Sequence, residues 1–469
     1  MPIEQQAFFQ TVSAKKTAVV SDFNWEPQLI STDSRTIPPG GIFIPLRGEN
    51  HDGHVFLKQV LESTARLGFC DEAYFQAHQT ELADLPLILV SDTLVAYQSL
   101  ARQWRRQMNL PVVGITGSSG KTSTKELLAA VLAPFYKVHK NALNYNNQIG
   151  VPKTLLELTP EDQICIVEMG MRGLGQIDEL ARISEPNVGL ISQIGTAHLS
   201  ELGSQENIAR AKWELAEYLQ AHQGLLLGQA DDAWQRQMAP TTPELKLLWC
   251  GAAPDSTVRL LSVEESEEGQ TLIYQLPEGP PRRLRLCLPG QHQARNLMLC
   301  LGYLYSLGHS LPDNFEVVPE QLSGRNEQIH LPGEITLIND AYNANPDSMR
   351  AALQVLASLP AKGRKWAVLG KMAELGPSSE RFHRELGNYC LNLPLHGLCV
   401  IGAEARPLAE AASKSAAFEV HFFESNASCA KFLQGQIQAQ DQIFFKGSRS
   451  ARLEEVIAAL LAAPQKAHP

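Results

Sequence analysis

No run of about 18 apolar residues occurs in the 469-residue chain, which excludes a membrane-spanning helix from the expectation. The opening segment MPIEQQAFFQTV has neither a basic start nor a long apolar stretch, and it does not read as a secretory leader. Positive charge is in the minority: 40 Lys and Arg against 50 Asp and Glu give a formal charge of −10. A nucleic-acid binder needs basic surface to neutralise phosphates, so no nucleic-acid partner is expected. Any anionic ligand must instead be held by local positive groups. The eight cysteines form no CxxC pair. Cys165, Cys287, Cys300 and Cys399 sit in apolar surroundings, which suits reduced core thiols better than a disulfide framework. The cytoplasm is the expected compartment.

What is present is ordinary globular material, 44% hydrophobic and 19% charged. It is too long for one core, since single cores rarely exceed about 250–300 residues. Three blocks are expected: 1–107, 108–312 and 313–469. The first mixes short apolar runs with turn signals, as in RTIPPGGIFIPLRG. The second opens with an apolar run over Pro111–Ile115, a Gly/Ser/Thr-rich turn, and a helical stretch with Leu127, Leu128, Val131 and Leu132 on one side. The runs QICIVEM and NVGLISQIG follow, each leading into helix-like sequence, which reads as βαβ units on a mostly parallel sheet. Alternation over 255–289 (VRLLSV, TLIYQL, RRLRLCL) suggests an antiparallel excursion. In the third block ITLIND, KWAVLG, GLCVIG, EVHFF and QIFFKG predict a second, doubly wound α/β domain. The fold class is therefore α/β, and ligands are expected beyond the carboxyl ends of strands.

Thr116-Gly117-Ser118-Ser119-Gly120-Lys121-Thr122, with Ser123 beyond it, joins a predicted strand to a predicted helix. Gly117 and Gly120 let the backbone turn tightly and aim amides at an anion, aided by the helix N-terminus. Lys121 would reach the β/γ-phosphates and the Thr122 hydroxyl would hold Mg²⁺. The first glycine of the usual pattern is displaced, with Gly114 one place early and Ile115 where glycine is expected. Glu168 ends a strand of the same block, where an acid is expected to support Mg²⁺. A lone strand-end carboxylate is otherwise simply solvated. His198 reads equally as a polar loop histidine or as a ligand beside Glu168 and Thr122. Lys212, in ENIARAKWELAEYL, reads on its own as a solvated helix lysine.

Two polar clusters exceed what turns require. NALNYNNQIGVPKT places four asparagines in seven residues, Asn146 and Asn147 among them, which supply donors and acceptors without charge. Asn339-Asp340-Ala341-Tyr342-Asn343-Ala344-Asn345-Pro346 follows the strand ITLI, and its end with Asp347-Ser348 fits a turn and helix cap. Lys446-Gly447-Ser448-Arg449-Ser450 follows QIFF as another backbone-plus-cation anion site. Each alone has a structural reading. Together they point to a ligand held between domains.

TGSSGKT (116–122), NNQIGVP (146–152), VEMG (167–170), the histidine of TAHL and the AKWE segment closely resemble the Mur ligase family. NDAYNANPDSM (339–349), VLGKMAELG (368–376) with His383, and KGSRS (446–450) resemble its branch that adds D-alanyl-D-alanine to UDP-N-acetylmuramoyl-tripeptide. The resemblance implies three domains: a uridine-nucleotide domain, a central ATPase and a C-terminal α/β domain that closes over ATP and binds the dipeptide. It implies ATP-dependent ligation through an acyl phosphate in peptidoglycan synthesis, by a cytoplasmic monomer. Ser34 and Arg35, with the loop 51–54, would contact the uridine nucleotide. Thr122, Glu168 and His198 would hold two Mg²⁺ ions, and Lys212 matches the lysine that is carbamylated in the family. Asn296, Arg325 and Asp340 would contact ATP. Tyr342, Asn343, Asn345, Lys446, Ser448 and Arg449 fall on the side of the incoming dipeptide or phosphates. Two positions depart from the family pattern: His292-Gln293 replaces a histidine–asparagine pair, and Lys371 stands where aspartate is common. Sites split across domains imply an open free enzyme that closes on its substrates. Competing classes are a sibling ligase that adds one amino acid, a folylpolyglutamate synthase, a P-loop kinase or transport ATPase, and a non-catalytic nucleotide-binding module.

Overall fold

The computed structural model describes residues 3, 5–12, 14–17, 25–48, 51–142, 144–266, 269–360, 362–414 and 417–462. They form three sheets, one in each successive part of the chain. The first has five strands in the order Lys15–Lys16, Leu87–Val90, Leu67–Asp71, Ile42–Phe43, Ile30–Ser31, parallel except for the first pair. Helix Thr93–Met108 leads out of it. Asp92 starts this helix by accepting from Val95 N at 3.0 Å, and Asn109 ends it in the left-handed conformation. Its buried stripe of Ala96, Tyr97, Leu100, Ala101 and Trp104 has helical spacing. Trp104 Nε1 donates to Leu158 O at 3.0 Å and ties the helix to the central part.

The central sheet has ten strands. Val112–Thr116 lies between Ile164–Glu168 and Val188–Ile191, all parallel. Every residue of these three strands is buried, which explains their continuous apolar runs, since helices cover both faces. Gly114 is a strand glycine, and a Cβ there would lie 2.8 Å from Met169 Cε. It therefore serves packing and not the loop. The expected antiparallel excursion is found in Val258–Ser266, Gly269–Gln275 and Arg282–Leu286. The boundary expected after residue 312 needs correction: Phe315–Val317 pairs in parallel with Arg282–Leu286 and completes this sheet.

The five runs predicted for the third block become the strands Ile335–Asn339, Gln442–Lys446, Lys365–Leu369, Gly397–Ile401 and Glu419–Phe423, parallel and in that spatial order. A sixth strand, Glu327–Leu331, adds antiparallel to the edge, and the sequence reading missed it. The strands Ile335–Asn339 and Lys365–Leu369 flank Gln442–Lys446, so their carboxyl ends gather the 340–345, 370–375 and 447–450 loops at one place. None of the eight cysteines forms a disulfide. Cys165, Cys300 and Cys399 are buried as expected, whereas Cys287 is only half-buried, with Sγ 3.3 Å from Glu316 Oε1. No helix among the described residues is long and apolar enough to cross a membrane.

Candidate active site between the central and C-terminal sheets

The phosphate loop turns from strand Val112–Thr116 into helix Lys121–Leu132 with Gly117 and Gly120 at φ +152° and +83°. Both glycines are also sites of close approach. A Cβ on Gly117 would fall 2.0 Å from Ser192 Oγ, and one on Gly120 2.9 Å from Asn296 Nδ2. Lys121 curls back over the loop and donates to Gly117 O at 2.8 Å. Burial lowers its pKa, and Glu168 opposes that shift. Asn296 and Gln293 lie on helix Gln291–Ser306, with Gln293 Nε2 3.5 Å from Ser123 Oγ. The His292-Gln293 departure therefore faces the first turn of the phosphate-loop helix.

Glu168 is 1% exposed. Its two oxygens accept from Thr122 Oγ1 and Asn146 Nδ2, each at 2.8 Å, and its backbone N–H donates to Asn141 Oδ1 at 2.9 Å. The carboxylate thus sits at the foot of the loop in a fixed orientation. Asn147 instead caps its own turn, accepting from Ile149 N and Gly150 N. His198 takes the left-handed conformation after strand Val188–Ile191, as the first structural consequence of its loop. Its Nδ1 lies 2.8 Å from Glu374 Oε2, a contact that holds the Glu374 carboxyl below its ordinary value. His198, Glu201 and Glu374 each offer one ligand atom within 4.8 Å of the others. Lys212 is fully buried on helix Gln205–Ala221, between Ala211 and Trp213. Burial, and then Lys121, push its pKa well below the ordinary lysine value. The reading of Lys212 as a solvated helix lysine is therefore corrected.

The C-terminal residues split into two groups. Lys446 Nζ donates to Asp340 Oδ2 at 2.5 Å and to Asn343 O at 3.1 Å, while Asn326 N donates to Asp340 Oδ1 at 3.2 Å. Ser448 Oγ accepts from Ala373 N at 2.8 Å and donates to Ala344 O at 3.3 Å. These two buried side chains stitch the three loops together and are not free groups. His383 does the same, accepting from Met372 N at 3.0 Å through Nε2 and donating to Ser379 O through Nδ1. Arg325 stacks on the Tyr342 ring at 4.3 Å. Asn343 and Arg449 are the solvent-facing members, Arg449 at 3.3 Å from Glu454. Lys371 pairs with Glu404 at 2.5 Å.

The two domains touch. Asn345 Nδ2 donates to Ser119 Oγ at 3.1 Å, and Thr196 N and Oγ1 donate to Asp347 Oδ2 at 2.9 and 3.0 Å. This differs from the open arrangement expected for a free enzyme. A cavity of about 590 Å³ lies between them, bordered by Gly120, Thr122, His292, Arg325, Asp340 and Lys446. A smaller one of about 220 Å³ adjoins the loop at Ser119, Trp234 and Asn296. Asn141, Ser192, Thr196, Asp347 and Glu374 escaped the sequence reading, although the NPDS cap signal did mark the segment that carries Asp347.

In the N-terminal part, Arg35 is exposed and chelates Asp33 through Nε and Nη2 at 2.9 and 2.7 Å, beside the half-buried Ser34. His54 is buried, donating from Nδ1 to Asp52 at 2.6 Å and accepting from Asp71 N at 3.2 Å. Arg47 bridges Asp52 and Asp71 at 3.1 and 3.2 Å.

Residues 115–304 match the Mur ligase middle domain, and residues 324–449 match the Mur ligase, glutamate ligase domain. The chain is 38% identical to the UDP-N-acetylmuramoyl-tripeptide–D-alanyl-D-alanine ligase of Synechocystis over 92% of each chain. Among solved structures, MurF from Acinetobacter baumannii superposes with a TM-score of 0.87, at 30% identity and over 99% of each chain. MurF from Thermotoga maritima in complex with ADP superposes at 0.81, at 26% identity, over 92% of this chain and 97% of that one. With these matches running through all three sheets, the chain belongs to the Mur ligase family.

Proposed function

We propose that the chain is an ATP-dependent amide-bond ligase that joins D-alanyl-D-alanine to UDP-N-acetylmuramoyl-tripeptide, releasing ADP and phosphate. The observation that carries this reading is the 38% identity, over 92% of the chain, to a ligase named for that reaction. A carboxylate is a poor electrophile. The γ-phosphoryl group is therefore first transferred to it, and the dipeptide amine then attacks the acyl phosphate and displaces phosphate. Phosphoryl transfer depends on positioning and charge neutralisation, which Lys121 and the turn into helix Lys121–Leu132 would supply. Ser118, Ser119 and Ser123 are assigned to the same anion site, Ser119 and Ser123 lining the larger cavity, and Asn296, Arg325 and Asp340 border the cavities in which the adenosine part would lie.

The donor set suits Mg²⁺. Thr122 Oγ1 and the Glu168 carboxylate are hard oxygen ligands 2.8 Å apart, and His198 lies in a second cluster with Glu201 and Glu374. When bound, Mg²⁺ offsets the repulsion between the triphosphate and the substrate carboxylate. Lys212 is a buried amine whose pKa is pushed well down by burial and by Lys121, which favours the neutral form that adds CO₂ with loss of one proton to give a carbamate. Ser34, Arg35 and the 51–54 loop are assigned to the uridine nucleotide, and Asn146 and Asn147 to the peptide carboxylate side. Tyr342, Asn343 and Arg449 are assigned to the dipeptide, with Asn345, Lys446 and Ser448 holding the loops that present them. The enzyme works as a cytoplasmic monomer.

Phosphate release is measured with ATP, Mg²⁺ and the UDP-muramoyl tripeptide, with and without D-alanyl-D-alanine. Release that needs both substrates, with a ligated product, is expected. Release with a single amino acid and none with the dipeptide would move the chain to a sibling activity.

A further inference from the structure

The helix Pro346–Ser358 is capped by Asn345 and Ser348, whose side chains each accept or donate across the first turn. Asp347, in that first turn, is therefore not needed as the cap. Its Oδ2 instead accepts two hydrogen bonds from Thr196, through the backbone N–H at 2.9 Å and Oγ1 at 3.0 Å, from 151 residues away. The approach requires glycine at the neighbouring position, because a Cβ on Gly195 would lie 2.3 Å from the same oxygen. The segment it grips also supports the phosphate loop: Gln193 O accepts from Ser118 N at 2.7 Å, and Ser192 Oγ donates to Ser119 O at 2.6 Å. Two residues past Thr196 it reaches His198.

We propose that Asp347 is a positioning residue for ligation. Its carboxylate on Thr196, with Asn345 on Ser119, latches the C-terminal domain to the phosphate loop and to the neighbouring segment that supports that loop and carries His198. It thereby sets the closed arrangement in which the dipeptide amine meets the acyl phosphate. This rests on the ligase reading above. The latch touches no reacting atom, so it governs turnover with both substrates and not the intrinsic affinity of the loop for nucleotide.

The test uses full-length Asp347→Ala, Thr196→Val, the double variant, Gly195→Ala and Asp347→Asn. Hydrogen bonds to a charged group are strong enough that Asp347→Ala and Gly195→Ala should each lower kcat about tenfold or more. ATP affinity in the absence of the other substrates should stay within about threefold, a change small on the scale of one hydrogen bond. Thr196→Val should cost less, the double variant should be no worse than Asp347→Ala alone, and Asp347→Asn should recover most of the rate. Small-angle X-ray scattering with a non-hydrolysable ATP analogue and Mg²⁺ should give a larger radius of gyration for Asp347→Ala and Gly195→Ala than for the unaltered protein. Unchanged kcat in Asp347→Ala or Gly195→Ala, additive losses in the double variant, or unchanged scattering would each overturn the latch. If the unaltered protein fails to ligate the dipeptide, the ligase reading falls, while the scattering comparison still decides the latch.

Discussion

Replacing Lys212 by methionine should stabilise the free protein while abolishing ligation. The side chain is 1% exposed and no described acidic group forms an ion pair with it. Methionine fills a similar volume without the polar tip. Removing a buried amine that lacks a partner recovers its desolvation cost, about 1–3 kcal/mol. Each kcal/mol shifts Tm by about 2–4 °C for a cooperative unit of 150–250 residues, so a rise of roughly 2–10 °C is expected. The pH dependence has a fixed sign. Burial and Lys121 lower the folded-state pKa, so below the ordinary lysine value the unfolded chain holds a proton that the folded chain resists. The resulting penalty on the unaltered protein is full below the folded-state pKa and fades as pH rises towards about 10. The advantage of Lys212→Met should fade with it.

The assay is thermal unfolding at pH 7, 8.5 and 10 in CO₂-free buffer, beside the coupled ligation assay. Bicarbonate with Mg²⁺ should raise Tm of the unaltered protein and leave Lys212→Met unmoved, because only the lysine can form a carbamate. A methionine variant that melts several degrees lower at pH 7 would refute the burial argument. Full ligation by that variant would refute the functional one.

Gly117→Ala should weaken ATP binding at least about tenfold, because its Cβ would lie 2.0 Å from Ser192 Oγ and must displace the loop; equal affinity by nucleotide titration would refute this. Burial lowers the pKa of His383, so as pH falls through the ordinary histidine range the unfolded chain gains a proton that the folded chain refuses. Stability should therefore decline on acidification, and His383→Gln should flatten that slope in denaturant titrations run between pH 7.5 and 5. Lys446→Ala leaves Asp340 without its cation in a mostly buried setting and should cost roughly 2–4 kcal/mol by urea unfolding. Arg449→Ala, at a side chain 68% exposed, should cost under about 0.5 kcal/mol yet raise KM for D-alanyl-D-alanine.

Much of this architecture was legible because parallel strands buried on both faces leave unbroken apolar runs, and ICIVE and GLCVI are buried at every residue. The edge strand Glu327–Leu331 was missed for the opposite reason: none of its residues is fully buried, so EQIHL carries no such run. The same limit governs the site. Periodicity tells which residues face a core, and strand ends tell where polar clusters will gather, so Thr122, Glu168 and Asp340 could be nominated one at a time. Which loop meets which is decided by domain docking. The Asn345–Ser119 contact joins residues 226 apart, and the Asp347–Thr196 contact joins residues 151 apart. Lys212 shows the converse error, where a charged residue on a helix is read as solvated although both of its neighbours, Ala211 and Trp213, are buried. Lys212 lies off the exposed stripe of Glu206, Arg210 and Glu217, on the covered side of an amphipathic helix, where its amine has no place in water. Burying the amine there works against stability, and that cost is the signature of a position held for function.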